Sequence, residues 1–326
     1  MSTKEKVLHE LENRKGEFIS GTSLAKKFNV SRNAIWKAIK SLESLGYEID
    51  AITNKGYKLS EDSDKISAGL IGSMLNTSYI GREIEILQSV DSTNTYAKKI
   101  AKKNAVKQGY TIISETQTEG KGRMGRSFES PANTGIYMSI ILRPTFNIEL
   151  TQLLTSCVAT AVANAVDRLY GTDTKIKWVN DLFLNGKKYC GILTEASISF
   201  ELGQLEYAII GIGINVKSLK NSLSPEILEI ATSIEDECNS NVTRNILIAE
   251  VLNNLEEYIE NIESRQFMTE YRSRSFIIGE TVVITSNGET KQALAINIDD
   301  NAGLVVQFSD GTTEILNSGE ARIVKA

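Results

Sequence analysis

TSLAKKFNVSRNAIWKAIKSLESL, residues 22–45, decides the architecture of the first part of the chain. Residues 22–28 read as a short helix, Asn29-Val30 as a tight turn, and Ser31 as the N-cap of a longer helix running to Leu45. This is helix-turn-helix spacing. In the longer helix Ile35, Ala38, Ile39, Leu42 and Leu45 recur on one face, while Arg32, Asn33, Lys37 and Lys40 fall largely elsewhere. One helix therefore supplies both a core face and a cationic face able to meet a polyanion.

Working outward, residues 4–14 read as a preceding helix. After Gly46 the run YEIDAITNKGYKL alternates around Asn54-Lys55-Gly56 and reads as a hairpin with Lys55 at its tip and Lys58 nearby. A wing beside a helix-turn-helix fits a DNA-binding module, with Ser31, Arg32, Asn33, Lys37, Lys40 and Lys55 as candidate DNA contacts. The alternative is a small helical packing domain with a solvated charged face, because a modest positive balance does not by itself establish nucleic-acid binding.

The whole chain has 326 residues, 41% of them hydrophobic, and a formal net charge of -5. Disorder and a coiled coil are excluded by that composition, and the length allows more than one folding unit. The charge is uneven: residues 1–60 hold 11 Lys/Arg against 7 Asp/Glu, which leaves 25 against 34 for the rest. A basic module thus precedes an acidic body. The single histidine, His9, lies in a charged N-terminal segment, which disfavours histidine triads and His-ligated zinc. Cys157, Cys190 and Cys238 lack CxxC spacing and fit small core residues in a reducing cytoplasm. The start, MSTKEKVLHELENRK, has charges where a secretion signal needs apolar residues, and LLTSCVATAVANAV and YAIIGIGINV fall short of about 18 unbroken apolar residues. Cytoplasmic location with no membrane partner is the expectation.

SEDSDKIS, residues 60–67, reads as a polar linker. Beyond it, strand-like runs near 84–88, 110–114, 136–142 and 206–212 alternate with helical stretches at 93–105 and 150–169, as in a mixed α and β domain. Residues 244–264 look helical. From Gly279 onward TVVIT, KQALAINI, GLVVQF and TTEIL are separated by turn residues, which predicts a small β-barrel-like tail.

Three segments carry chemistry. Gly120-Lys121-Gly122-Arg123-Met124-Gly125-Arg126 packs three glycines and three cations into seven residues after a strand, a loop able to bring N–H groups and guanidinium forks to a phosphate or carboxylate. It matches neither GxxxxGK[ST] nor GxGxxG, and a generic basic surface loop or nucleic-acid contact is the alternative. Lys177-Trp178-Val179-Asn180-Asp181 and the run from Lys187 to Glu195 fold against each other through a turn at Asn185-Gly186. There Lys188 is either a source of positive charge for a phosphate or a solvated lysine, and Asp181 holds Mg²⁺, orients a polar partner or caps a turn. Gly211-Ile212-Gly213-Ile214-Asn215 follows an apolar strand, so backbone and amide can approach a ligand.

Together with Asp91-Ser92-Thr93-Asn94 and Glu115-Thr116-Gln117, these motifs in this order resemble the bifunctional biotin protein ligases that also repress biotin genes, the BirA type. The resemblance covers nearly the whole chain. It implies an α+β fold with an N-terminal winged helix-turn-helix (1–62), a central α/β ligase core of the biotin/lipoate protein ligase type (63–270) and a C-terminal small SH3-like β-barrel (271–326). It implies that ATP and biotin form biotinyl-5'-AMP, with Mg²⁺ as cofactor, and that a lysine on a biotin carboxyl carrier domain then takes the biotinyl group. It implies further that biotinyl-5'-AMP is a corepressor, promoting a homodimer that binds operator DNA of biotin genes.

Carried over by motif, Ser92, Thr93, Gln117, Gly120, Lys121, Arg123, Lys188 and Gly191 resemble the biotin pocket. Arg123, Arg126, Phe128, Asn180, Asp181, Lys188 and Asn215 resemble the nucleotide side, with Asp181 as the metal candidate. Arg123 and Lys188 are the implied catalytic pair, and the glycine-rich loop is implied to order around the adenylate. Two positions depart from the family pattern: Lys121 stands for arginine, which loses the bidentate fork, and Val179 stands for proline, which adds a backbone N–H. The alternatives are a regulator that senses a ligand without ligase activity, and a ligase for lipoate or octanoate.

Overall fold

The computed structural model describes residues 2–61, 63–103, 106–143, 148–199, 204–238, 243–286 and 289–324. The chain divides into two compact units, Met1–Met74 with Thr243–Ile246, and Leu75–Val242 with Leu247–Ala326.

In the first unit, α1 (Thr3–Asn13), α2 (Gly21–Phe28) and α3 (Arg32–Ser44) are followed by a two-stranded antiparallel wing, β1 (Ile49–Ile52) and β2 (Gly56–Leu59), and by α4 (Ala68–Met74). The caps explain the boundaries. Ser2, Ser20 and Ser31 each accept a backbone N–H from the first turn of α1, α2 and α3. Asn29 ends α2 in the left-handed conformation, and the turn closes with Val30 N–H donating to Ala25 at 3.0 Å. Val7, Leu11, Leu24, Ile35, Ile39, Leu42 and Leu59 form the shared core.

The polar run after Ser60 is anchored rather than free. Ser63 and Ser67 are buried. The Arg244 backbone N–H and guanidinium donate to the Asp64 carboxylate at 2.8 and 3.1 Å, and Ser67 N–H donates to Asn245 at 2.8 Å. These partners lie about 180 residues apart in sequence, so the serine- and aspartate-rich composition that suggests a linker hides a tertiary anchor.

The second unit contains β3 (Ile84–Leu87), α5 (Thr93–Ala101), β4 (Tyr110–Ser114), β5 (Gly135–Leu142), α6 (Leu154–Tyr170), β6 (Lys175–Lys177), β7 (Asp181–Leu184), β8 (Lys187–Ser199), β9 (Gln204–Asn215), α7 (Pro225–Ile230), α8 (Ile234–Glu237), α9 (Arg244–Glu260, whose first residues group with the first unit) and α10 (Phe267–Arg274). Among the described residues a seven-stranded sheet has the order β3-β4-β5-β9-β8-β7-β6, parallel only between β3 and β4. Every residue of β5 is buried, as expected for a strand covered on both faces. Ala97 and Ala101 of α5 pack on Ile112, Ile141 and Ile209. The longer helix α6 packs against β7, β8 and α10. Its Asp167 accepts from Thr172 and Thr174 and pairs with Arg274, which fixes α10 to α6.

The tail forms β10 (Thr281–Ser286), β11 (Glu289–Ile298), β12 (Leu304–Gln307), β13 (Thr313–Leu316) and β14 (Glu320–Ile323). Their order is β13-β12-β11-β10-β14, an open antiparallel sheet with β13 and β14 at its edges. The expected closed barrel is not what this hydrogen bonding forms. The sheet belongs to the same compact unit as the seven-stranded sheet, and the Trp178 indole donates to the Ala302 carbonyl at 2.8 Å.

Candidate functional site

The β8/β9 hairpin sets the floor of a pocket. Gly191 pairs with Gly213 and Leu193 with Gly211 across the two strands. These glycines make room for neighbours: a Cβ on Gly213 would lie 2.6 Å from the Phe128 ring, and one on Gly211 would lie 2.2 Å from Asn94 Oδ1. The pocket is lined by residues from α5, the 120–128 loop, β7, β8, β9 and the tail sheet.

Its polar end is a chain of hydrogen bonds. Thr93 donates through N–H and hydroxyl to Gln117 Oε1 at 2.9 and 3.1 Å, and Gln117 Nε2 donates to Ser130 at 2.8 Å. The Gln117 amide is thus bonded at both ends within the protein, to Thr93 and to Ser130. Ser139 donates to Thr93 and Asn94, while Asn94 Nδ2 donates to Leu193 O and Glu195 Oε2. A buried Ser92 begins α5 without a side-chain cap bond.

Positive charge enters the same pocket from the 120–128 loop and β8. Arg123 Nη1 donates to Asn180 Oδ1 at 3.2 Å, and Lys188 Nζ pairs with Asp181 Oδ1 at 2.7 Å. Asn180 Nδ2 links the two partners, donating to Asp181 Oδ1 at 3.0 Å and to Ile192 O at 2.9 Å. Lys188 reaches the pocket through a bulge. Leu182 pairs with Cys190 but Phe183 pairs with Lys188, so Tyr189 is an extra residue that shifts the alternation and puts Lys188 on the face of Gly191. Lys121 donates to Thr95 at 2.8 Å, the bond made by the residue that replaces arginine. The Trp178-Val179 peptide, where valine replaces proline, is cis.

The loop is pinned at its base: Phe128 N–H donates to Gly120 O at 2.8 Å and Gly122 N–H to Arg126 O at 2.7 Å. Met124 at its tip is exposed and left-handed, at φ 55°. Burial pushes the Cys190 thiol well above its ordinary range, so it stays protonated and is no nucleophile. The Tyr271 phenol, which donates to Val179 O at 3.0 Å, is also pushed up by burial.

Most sequence-derived candidates meet here: Ser92, Thr93, Gln117, Lys121, Arg123, Arg126, Phe128, Asn180, Asp181, Lys188 and Gly191 line the pocket. Gly120 and Asn215 are not among the lining residues. A Cβ on Gly120 would strike Phe128 O at 2.2 Å, so this glycine closes the loop base. Asn215 donates instead to Thr232 O at 3.0 Å. Sequence reasoning missed Asn94, Met138 and, from the tail sheet, Gly319 and Ala321. The Asn94 signal was present in the quoted Asp91-Ser92-Thr93-Asn94 run; nothing local marks Gly319 or Ala321.

In the first unit a second groove lies between α3 and the wing, lined by residues that include Arg32, Asn33, Trp36, Lys40, Ile52 and Asn54. Ser31 caps α3, donating nothing to the groove and accepting from Ala34 N at 3.1 Å. Lys37 and Lys55 are exposed but do not line it. Lys40 pairs with Glu43 at 2.6 Å, and Lys55 lies 5.8 Å from the Phe18 ring centre.

A glycine-backed pocket with paired cations, joined in one chain to a helix-turn-helix, defines the class of biotin/lipoate protein ligases with a DNA-binding module. Residues 86–215 match the Biotin/lipoate A/B protein ligase family, and residues 3–58 match an HTH domain. The chain is 34% identical to the Bifunctional ligase/repressor BirA of Bacillus subtilis (strain 168), covering 97% of this chain and 98% of that protein. It is 26% identical to the protein of the same name from Escherichia coli (strain K12), covering 95% and 94%. A solved biotin protein ligase from Aquifex aeolicus in complex with biotin and ATP aligns with TM-score 0.62 at 24% identity, over 75% of this chain and all of that one, which shows a shared fold. The chain belongs to the BirA family of bifunctional ligase/repressors.

Proposed function

We propose that this protein is an ATP-dependent biotin-[biotin carboxyl carrier protein] ligase and a repressor of biotin genes. The observation that carries the ligase reading is the convergence of Arg123 and Lys188 on the Asn180-Asp181 pair inside one pocket. Joining a carboxylate to the α-phosphate of ATP brings two anions together. Cations already aimed by fixed partners lower that barrier without reorganising when charge develops.

In the first step a biotin carboxylate oxygen attacks the α-phosphorus, the bond to the bridging oxygen breaks, and pyrophosphate leaves with biotinyl-5'-AMP remaining. In the second the ε-amine of a carrier-domain lysine attacks the acyl carbon, AMP departs with the bonding pair, and the amine loses a proton to yield the amide. Neither step needs imidazole, in keeping with a histidine that bonds Asn13 on α1 of the first unit. Ser92, Thr93, Gly191 and the Gln117-held polar wall suit the biotin head. The Phe128 ring lies against Gly213 and lines the pocket with Arg126, an aromatic face and a cation that suit the nucleotide side.

Among the described residues Asp181 is the one carboxylate lining the pocket, and no cluster of three or more His, Cys, Asp or Glu suited to a metal occurs. That donor set fits Mg²⁺ held mainly by the nucleotide phosphates with Asp181 as its protein ligand. The ion would supply charge neutralisation on those phosphates.

In this reading biotinyl-5'-AMP retained in the pocket is the corepressor, promoting a homodimer on operator DNA, and the open tail sheet is an SH3-like module. No helix among the described residues is long and apolar enough to cross a membrane, and the three cysteines are unpaired. Both features support work in the cytoplasm. The test is transfer of labelled biotin to a carrier-domain lysine with ATP and Mg²⁺. Formation of the adenylate and the amide is expected. Absence of both overturns the ligase reading, and preferential use of lipoate in competition redirects it.

A further inference from the structure

Trp36 stands where a helix that met only phosphates would carry a polar residue. At about 100° per residue, it falls about 40° from Arg32 and about 40° from Lys40. That is the edge of the outward arc of α3 that lines the groove with the wing, about 60° from buried Ile39 and about 100° from buried Ile35. The indole is 50% exposed, whereas the chain's other tryptophan, Trp178, is 4% exposed. Leaving so large an apolar group half in water forgoes much of its burial energy. Across the groove the wing presents Ile52, 45% exposed, beside Thr53 and Asn54. Two apolar groups therefore face one groove whose rim carries Arg32, Asn33 and Lys40, in a segment with 11 basic against 7 acidic residues.

We propose that Trp36 determines operator sequence, by placing its indole ring against thymine methyl groups in the major groove while Arg32 and Lys37 hold the flanking phosphates. The inference rests on the DNA-binding reading above and names what that site reads. Phosphates offer an indole ring no apolar partner, and sugar C–H groups are alike at every base pair and so carry no sequence. In the major groove the apolar group on a base-pair edge is the C5-methyl of thymine, which distinguishes A·T from T·A as well as from G·C. Contacts from cations to phosphate set register without carrying sequence. An apolar side chain bracketed by those cations is placed to supply what they lack. Lys40 is partly cancelled by Glu43, which leaves the indole as the dominant feature of its part of the arc.

The experiment uses the full chain with biotin, ATP and Mg²⁺, and begins by selecting duplexes from a random pool. Each thymine of the selected duplex is then replaced by deoxyuridine, which removes the methyl and keeps the pairing. At one or more thymines in each half-site the wild-type affinity is expected to fall roughly three- to tenfold. Trp36→Ala is expected to bind the selected duplex roughly ten- to a hundredfold more weakly and to lose the deoxyuridine effect. Trp36→Phe is expected to keep the effect in part. Wild-type insensitivity at every thymine overturns the proposal whatever the variants do, and so does a Trp36→Ala protein that retains the deoxyuridine effect. Failure to enrich any duplex is a different result: it overturns the DNA-binding reading itself, and this inference with it.

Discussion

The winged unit and the pocket both depend on cations, and they hold them differently. On α3, Arg32 and Lys37 project into solvent, where each can find a phosphate within the reach of a long flexible side chain. In the pocket Arg123 and Lys188 are fixed by Asn180 and Asp181 before any ligand arrives. A duplex presents many equivalent phosphates and rewards loose, additive contacts. A single phosphoryl group changing charge rewards placement decided in advance. The difference teaches that net charge is a poor guide to either job: the unit with the positive balance spreads its cations, and the acidic unit concentrates a pair.

Removing one fixed cation should therefore be the most damaging change. Arg123→Ala or Lys188→Ala is expected to slow adenylate formation by about 10²–10³-fold, read as pyrophosphate release with biotin and ATP. The double variant should lose less than the product of the two, because both cations act through the linked Asn180-Asp181 pair. Near-normal rates in both single variants would break the comparison.

Next in size is Gly213→Ala. Its methyl would meet the Phe128 ring at 2.6 Å, and overpacking of that kind costs about 1–3 kcal/mol. A raised KM for ATP with a lowered melting temperature is expected; an unchanged KM would remove Phe128 from the nucleotide side.

On α3 the effect should be smaller and spread out. Lys37→Ala is expected to weaken binding to all duplexes alike and to reduce the salt slope of log affinity by about one. A loss confined to one sequence would show that Lys37 reads bases.

The smallest effect expected is at Glu12. Burial raises its carboxyl above the ordinary range despite Lys15 nearby, and Oε1 has no hydrogen-bond partner. The unfolded chain then releases this proton at lower pH than the folded one. Stability declines as pH rises from the ordinary carboxylate range through the raised value, and the deficit remains at neutral pH. Glu12→Gln should flatten that decline and add up to about 1 kcal/mol at neutral pH, seen in thermal melts of the full chain at acidic and neutral pH.

Local chemistry made much of this legible in the sequence. Serine caps, the Asn29 turn, the Asn54 and Asn185-Gly186 turns and the alternating strands all act within a few residues, and the structure follows them. What stayed hidden acts at a distance. Plain alternation along β8 would put Lys188 opposite to Gly191; the Tyr189 bulge reverses that, and no residue announces it. Gly319 and Ala321 enter the pocket from the tail sheet. The Asp64-Arg244 anchor joins residues about 180 apart. Asn215 shows the opposite failure: a motif position whose amide the fold spends on Thr232.

The two tryptophans have a practical consequence. One stands half exposed in the groove of the winged unit, and the other is buried in the wall of the pocket. The chain thus carries two optical reporters, with distinct emission expected from a wet and a dry indole, one for each activity. Replacing either by phenylalanine leaves the other as a label-free signal, so ligand arrival at one end can be followed in the intact protein without attaching a dye.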